Sequence, residues 1–273
     1  MKKMTAFILA ALMVCAVFTG CAPQKTEEPL DKTVAADMQY ILDKGEIIVG
    51  LDDTFAPMGF RDEKGELVGF DVDFANAVGV VLGLNVKFQP IDWDAKEMEL
   101  NGKKIDLLWN GLSATPARKE SMFLTEPYLN NTLVIMTAKG SEITKKADLA
   151  GKKIATQAGS AGLEAIVADE MYDRVKDDLS EYKSYDEALM DLEIGRVDAV
   201  IIDKVLGMYK ASKKADAFAF ASEDFGEDLY AVGMRKEDKA FGASVQQAIK
   251  AVIESGKATE ISTKWFGEDI VIK

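Results

Sequence analysis

The stretch Asn101-Gly102-Lys103-Lys104-Ile105-Asp106-Leu107-Leu108-Trp109 returns in altered form as Ile194-Gly195-Arg196-Val197-Asp198-Ala199-Val200-Ile201-Ile202. In each copy a helical pattern closes on glycine, a basic residue follows, and an aspartate opens a short apolar run. A glycine-stopped helix followed by a bounded apolar run reads as helix then buried strand, the unit of layered α/β folds. Two copies point to two similar lobes. Each run ends in polar residues, Asn110 to Ser113 in the first and Asp203 in the second. In open α/β sheets ligands sit just beyond the carboxyl ends of strands, so both ends are expected to face one cleft.

Outward from these copies, short apolar runs alternate with helical patterns. Strands are expected over 46–51, 86–91, 105–109, 133–138, 153–156, 197–202 and 229–234. Helices are expected over 71–82, with Gly83 as its stop, and over 95–100, 161–175, 185–194, 238–254 and 259–266.

The N-terminus reads as an address. Lys2 and Lys3 precede an apolar run from Ala6 to Phe18, too short to span a bilayer but suited to a signal peptide covering 1–20. Phe18-Thr19-Gly20-Cys21 resembles the lipoprotein processing box, with Phe18 where a branched aliphatic residue is usual. Of the two cysteines, Cys15 would leave with the signal, so Cys21 has no disulfide partner and is expected to carry the lipid anchor. Two acyl chains on one residue suffice for stable anchoring. Residues 21–36 read as a tether, in which Ala22 to Thr33, with Pro23 and Pro29 and no apolar period, reach at most ~40 Å over 12 residues.

The formal charge is −13, without the basic patches that nucleic acid or an anionic membrane surface would require. Histidine is absent. With no spare cysteine either, the mature chain lacks Ser-His and Cys-His nucleophiles, an imidazole base and a His-ligated zinc site. No catalytic residue, metal or cofactor is expected.

Gly69-Phe70-Asp71-Val72-Asp73-Phe74 followed by Ala75-Asn76-Ala77-Val78 resembles the signature of the polar amino-acid-binding proteins of bacterial ABC importers, extracellular solute-binding protein family 3. Gly50 to Phe60, Leu112 to Lys119, Glu126-Pro127-Tyr128, Asp148 to Lys152 and Lys264-Trp265-Phe266-Gly267 match in the same order. The resemblance runs from about Tyr40 to Gly267. It implies a periplasmic-binding-protein-like α/β fold of two lobes, each a mostly parallel sheet flanked by helices, joined by two hinge strands near 128–132 and 226–230. Lobe 1 would comprise 37–129 with 231–273, and lobe 2 residues 130–230. It further implies a monomer outside the cytoplasm, lipid-anchored to the outer face of the cell membrane, that delivers an amino acid to ABC permease subunits.

A free amino acid is a zwitterion, and burying it requires an answer to both charges. Arg118 matches the family arginine whose guanidinium binds the carboxylate through two parallel bonds. Ser160 and Ala161 lie between a strand and a helix, where free N–H groups and the helix dipole favour an anion. Asp203 matches the family aspartate for the ammonium; its structural alternative is a helix N-cap. Asp52, Phe55 and Trp93 correspond to positions around the side chain, the two aromatics as a sandwich. Asn110, Gly111, Ser113 and Gln157 complete the set as neutral hydrogen-bonding positions. Gln157 and Ile202 depart from the usual family residues and put selectivity in question. Asp52 with the aromatics suits arginine, lysine or ornithine; Gln157, Asn110 and Ser113 suit glutamine or another neutral polar residue, which the reading favours.

Two other functions fit the sequence less well. Some dehydratases resemble this family, but a general acid would have to be an unmarked Asp or Glu. A receptor's amino-acid-sensing domain would continue beyond Lys273 into a membrane or signalling segment. The importer reading is favoured over both.

Overall fold

A computed structural model describes residues 32–214 and 216–273. The expected signal peptide, Cys21 and most of the expected tether lie outside the described residues. None of the described helices is long and apolar enough to cross a membrane.

Helix α1 (Lys32–Lys44) opens the described chain, and its first residues overlap the stretch read as tether. Strand β1 (Glu46–Leu51) follows, then a small three-stranded sheet of β2 (Thr54–Phe55), β3 (Gly59–Arg61) and β4 (Leu67–Val68). Helix α2 (Phe70–Leu82) buries Phe70, Phe74 and Val78 on one face and ends at Gly83, whose left-handed backbone returns its N–H to Gly79 and Val80. Strand β5 (Asn85–Pro90), a 3-10 turn from Trp93, helix α3 (Lys96–Asn101) and strand β6 (Leu107–Ser113) complete this series. Helix α4 (Pro116–Ser121) and strand β7 (Met122–Leu124) lead into β8 (Leu129–Ala138).

The second series runs β9 (Ile154–Gln157), α5 (Ala161–Ala168), α6 (Tyr172–Val175), β10 (Leu179–Tyr182), α7 (Tyr185–Glu193), β11 (Ala199–Asp203) and α8 (Lys204–Lys213). The long strand β12 (Phe218–Arg235) then returns to the first, where α9 (Lys239–Glu254) and α10 (Lys257–Phe266) pack.

The two halves repeat one pattern. Strands run β5-β1-β6 in one and β10-β9-β11 in the other, parallel within each triplet. The sequence echo has a physical basis here. The Asp106 carboxylate accepts the N–H of Ile48 at 2.8 Å, and its own N–H donates to the Ile48 carbonyl at 2.7 Å. Asp198 makes the same exchange with Lys153, at 2.8 and 2.7 Å. Each aspartate thus sets the register of its strand against the first strand of its own half. Lys104 and Arg196 reach back five residues to Glu99 and Asp191. Lys103, at φ 57°, takes the left-handed position that Gly195 fills in the second copy.

Strands β8 and β12 join the halves, as the resemblance implied. They pair antiparallel through the two expected crossovers, Leu129↔Tyr230, Asn131↔Asp228 and Thr132↔Glu227. Beyond them β12 pairs with β6 and β7, and β8 with β11, so the sheet is continuous from one half to the other. The expected strand over 229–234 therefore pairs in the first half, against β6 and β7.

Several expectations are revised. The helix over 161–175 is broken, because the Asp169 carboxylate accepts the Met171 N–H at 2.9 Å and Lys146 at 2.8 Å, which turns the chain. Strand β6 continues through Asn110 to Ser113, since β12 pairs alongside it. The small sheet β2-β3-β4, α1, α4, β7, β10 and α8 were not read from the sequence.

The turn before α2 holds the first half together. Pro57 and Met58 carbonyls accept the free N–H groups of Phe70 and Asp71 at 2.8 and 2.9 Å, so the chain must come close at Gly69. Gly69 has φ 148°, and a Cβ there would lie 2.1 Å from the Met58 carbonyl oxygen. Gly69→Ala is therefore expected to destabilise the fold by about 1–3 kcal/mol in a urea titration; an unchanged midpoint would contradict this account.

Candidate functional site

All eleven ligand positions named from the sequence are buried and lie where strands end or chains turn. Asp52 follows β1, Phe55 sits in β2 and Trp93 starts the 3-10 turn. Asn110, Gly111 and Ser113 line β6, and Arg118 lies on α4. Gln157 ends β9, Ser160 caps α5, Ala161 is its first residue, and Asp203 ends β11. The site therefore forms between the carboxyl ends of two parallel triplets.

Arg118 is positioned by its own helix start. Thr115 caps α4 by accepting the Arg118 N–H at 3.3 Å, with Pro116 at the first helical position. The guanidinium, 2 % exposed, donates to the Ser113 carbonyl at 3.1 Å. It also crosses to the other half, reaching the Gly159 carbonyl at 3.2 Å and the Glu164 carboxylate at 2.9 Å. Its Nε is buried without a hydrogen-bond partner among the described residues, as are Asn110 Nδ2 and the Tyr185 hydroxyl. Such orphaned groups each cost roughly 1–3 kcal/mol.

The opposite pole is acidic and belongs to the hinge. Asn131 donates to Asp203 at 2.8 Å and to Asp228 at 2.9 Å. Tyr230 donates its hydroxyl to Asp203 at 2.7 Å, and Ser113 to Asp228 at 2.7 Å. Burial, and then the charge of Asp228, push the Asp203 carboxyl up to about 7. Asp203 also precedes α8, but its side chain does not cap that helix.

At the third corner, Gln157 donates to Asp52 at 2.7 Å across the two halves. Thr54 donates to the same carboxylate through its N–H at 2.9 Å and its hydroxyl at 2.7 Å. Burial raises the Asp52 carboxyl above its ordinary range despite these bonds. The backbone N–H of Asp52 donates to Asn110 at 3.0 Å. Gly111, at φ 56°, leaves no room for a side chain: a Cβ would stand 2.8 Å from the Phe55 ring. A groove of about 700 Å³ at the mouth is lined by Asp52, Asp92, Trp93, Lys183 and Glu187, drawn from both halves.

The aromatic arrangement differs from the expected sandwich. Phe55 faces Tyr185 of the second half at 6.1 Å between ring centres. Trp93 packs in a separate apolar cluster with Leu100, Ile105 and Leu112. The Ser160 hydroxyl is taken up as the α5 cap, accepting the Leu163 N–H at 3.1 Å. Sequence reasoning missed Asp71, Lys96, Asn131, Glu164, Tyr185, Asp228 and Tyr230. Asp71 stood inside the quoted motif; it accepts the Gly111 N–H at 2.7 Å and the Tyr128 hydroxyl at 2.8 Å, and burial lifts its carboxyl to about 7. Asn131, Asp228 and Tyr230 lay in or beside the expected crossovers. Glu164 and Tyr185 carried no sequence signal.

Two α/β halves thus meet on paired crossover strands, with a buried guanidinium on one and a buried carboxylate on the other. The chain belongs to the bacterial extracellular solute-binding proteins, family 3, whose family model matches residues 47–268. It is similar to a substrate-binding protein of an ABC uptake transporter from Streptococcus pneumoniae solved with bound histidine. The two are 37 % identical at a TM-score of 0.81, covering 87 % of this chain and 98 % of that one. The arginine-, lysine-, histidine-binding protein ArtJ of Geobacillus stearothermophilus is 32 % identical with a TM-score of 0.75, covering 82 % and 96 %. The L-cystine-binding protein TcyJ of Escherichia coli is 29 % identical over 236 residues, 85 % of this chain and 87 % of that protein.

The raised Asp203 carboxyl makes a stability prediction without ligand. Its folded value, about 7, lies above the 3.8 of an ordinary aspartate in the unfolded chain, so ionising it opposes folding. That cost is absent below about pH 4 and fully present above about pH 7, amounting to at most ~4 kcal/mol. Asp203→Asn keeps an oxygen for Asn131 and Tyr230 and removes the charge. Its melting temperature relative to wild type should be several degrees higher at pH 8 than at pH 5. A pH-independent difference would contradict the assignment.

Proposed function

We propose that the protein is the extracytoplasmic substrate-binding component of an ABC importer. It captures a polar amino acid between residues 37–129 with 231–273 on one side and 130–230 on the other. The observation that carries this reading is the burial of Arg118 and Asp203 on opposite halves of one cleft, an arrangement that answers the two charges of a zwitterion. The amino-acid ligands named for its relatives support the substrate class. Delivery to permease subunits follows from the importer role. The relatives are binding proteins, which favours a non-enzymatic role.

Among polar amino acids, a neutral side chain is favoured. The Asp52 carboxylate already receives Thr54 and Gln157, and its charged form is disfavoured by burial. A cationic ligand is the second reading, supported by ArtJ and by Asp52 as the side-chain acid.

A thermal-shift screen of the common amino acids and L-cystine identifies the ligand, with ~2.7 kcal/mol of stabilisation expected at 100 times its dissociation constant. Arg118→Lys should then lose about thirtyfold to several thousandfold in affinity by calorimetry, because one ammonium cannot reproduce the fork. Wild-type binding by that variant would sink the site assignment. Asp52→Asn should be nearly as damaging for a cationic ligand, but cost only ~0.5–1.5 kcal/mol for a neutral one.

Anchoring through lipid on Cys21 is part of the same proposal. Cys21→Ala should move the protein from the membrane to the soluble extracytoplasmic fraction with ligand affinity unchanged; a membrane-bound variant would contradict it.

A further inference from the structure

Lys96 is the first residue of α3 and only 6 % exposed. Its ammonium donates to the Trp93 carbonyl at 3.3 Å and crosses the cleft to the Gly159 carbonyl at 2.8 Å. Arg118 reaches the same Gly159 oxygen at 3.2 Å, so the two cations stand within about 6 Å of one another, the sum of the two legs. Among the described residues Lys96 makes no ion pair, whereas Arg118 has Glu164. Gly159, at φ 65°, permits the approach: a Cβ there would lie 3.0 Å from the Lys96 nitrogen.

This is an expensive arrangement for a merely structural side chain. A buried ammonium held by two carbonyls and set 5.5 Å from the centre of the Trp93 ring, beside a second cation, still lacks the paired carboxylate that burial demands. An apolar residue would fill the same space against Trp93 without that cost. Burial, followed by the charge of Arg118, lowers the Lys96 ammonium to about 8, while Glu97, Glu164 and Asp94 oppose the shift. The third ammonium hydrogen remains for another acceptor. A carboxylate has two oxygens and can accept from both cations at once.

We infer that Lys96 is a second cation for the ligand's α-carboxylate, closing on it together with Arg118 from the same half. This rests on the amino-acid-binding reading and adds a residue to it. It assigns Lys96 to the part common to all amino acids, so its loss weakens every ligand alike. It also places a buried positive charge beside the site, which counts against a second cation on the ligand.

The test is calorimetric titration of wild type, Lys96→Met and Lys96→Gln with L-glutamine, L-histidine, L-arginine and L-cystine. L-Histidinamide and L-argininamide, which lack the carboxylate, serve as controls. For those that bind wild type, both variants should lose at least tenfold in affinity, by a similar factor for each acid. The preference for acid over amide should shrink by the same factor, and the melting temperature without ligand should hold or rise. Unchanged affinity for the acids would overturn the inference. So would an equal loss for acids and amides accompanied by a lower melting temperature, the signature of a structural latch. If wild type binds none of the four acids in calorimetry or the wider screen, the amino-acid reading falls first and this inference with it.

Discussion

The pairing of two crossover strands, Asn131 against Asp228, is the interaction on which the rest of the structure depends. Each strand continues into a different half of the sheet, so whatever is hydrogen-bonded there is shared by both halves. Asn131 grips Asp203 and Asp228 together, and Ser113 reaches Asp228 from β6. The acidic pole is therefore built into the hinge. The basic pole, on α3 and α4, stands on one half and makes polar contacts with the other through Gly159 and Glu164. A bipolar ligand between the poles would make both halves share one set of charges, which is how binding energy becomes a preference for the closed arrangement.

The same charges tax the fold. Asp71 and Asp203 are fully buried carboxyls with raised values, and Lys96 is a buried ammonium with a lowered one. Asp71 has a local task, holding Gly111 and Tyr128 in place behind the cleft. Asp203 and Lys96 also have local partners, Asn131 and Tyr230 for the first and two carbonyls with the Trp93 ring for the second, but neither has an ion-pair partner among the described residues. Groups kept charged at a cost to stability are the expected mark of a site that recognises charge.

Much of the fold was legible because the two halves repeat a local rule. The aspartates at 106 and 198 exchange hydrogen bonds with the first strand of their own half, so the short echo carried long-range information. Arg118, Asp203 and Asp52 were legible because the motif fixed their positions and their chemistry is demanding. What escaped depended on the meeting of the two halves. Tyr185 replaces Trp93 as the ring opposite Phe55, and Glu164 finds Arg118 from a helix more than 40 residues away in sequence, as does the Gly159 carbonyl. Lys96 looked like an ordinary polar position on a short helix; only the cleft shows it to be buried. Strand β12 was read as 229–234 because the exposed polar run Ser222 to Asp224 interrupts it, where its pairing with β8 also shifts register.

The central claim is that one zwitterion joins Arg118 on the first half to Asp203 on the second. A crystal structure of the protein with the amino acid that stabilises it most tests this directly. The account predicts the α-carboxylate within hydrogen-bond distance of the Arg118 guanidinium and the α-ammonium within that of Asp203, with both halves touching the ligand. A ligand seated on one half alone, or turned with its ammonium toward Arg118, would contradict it.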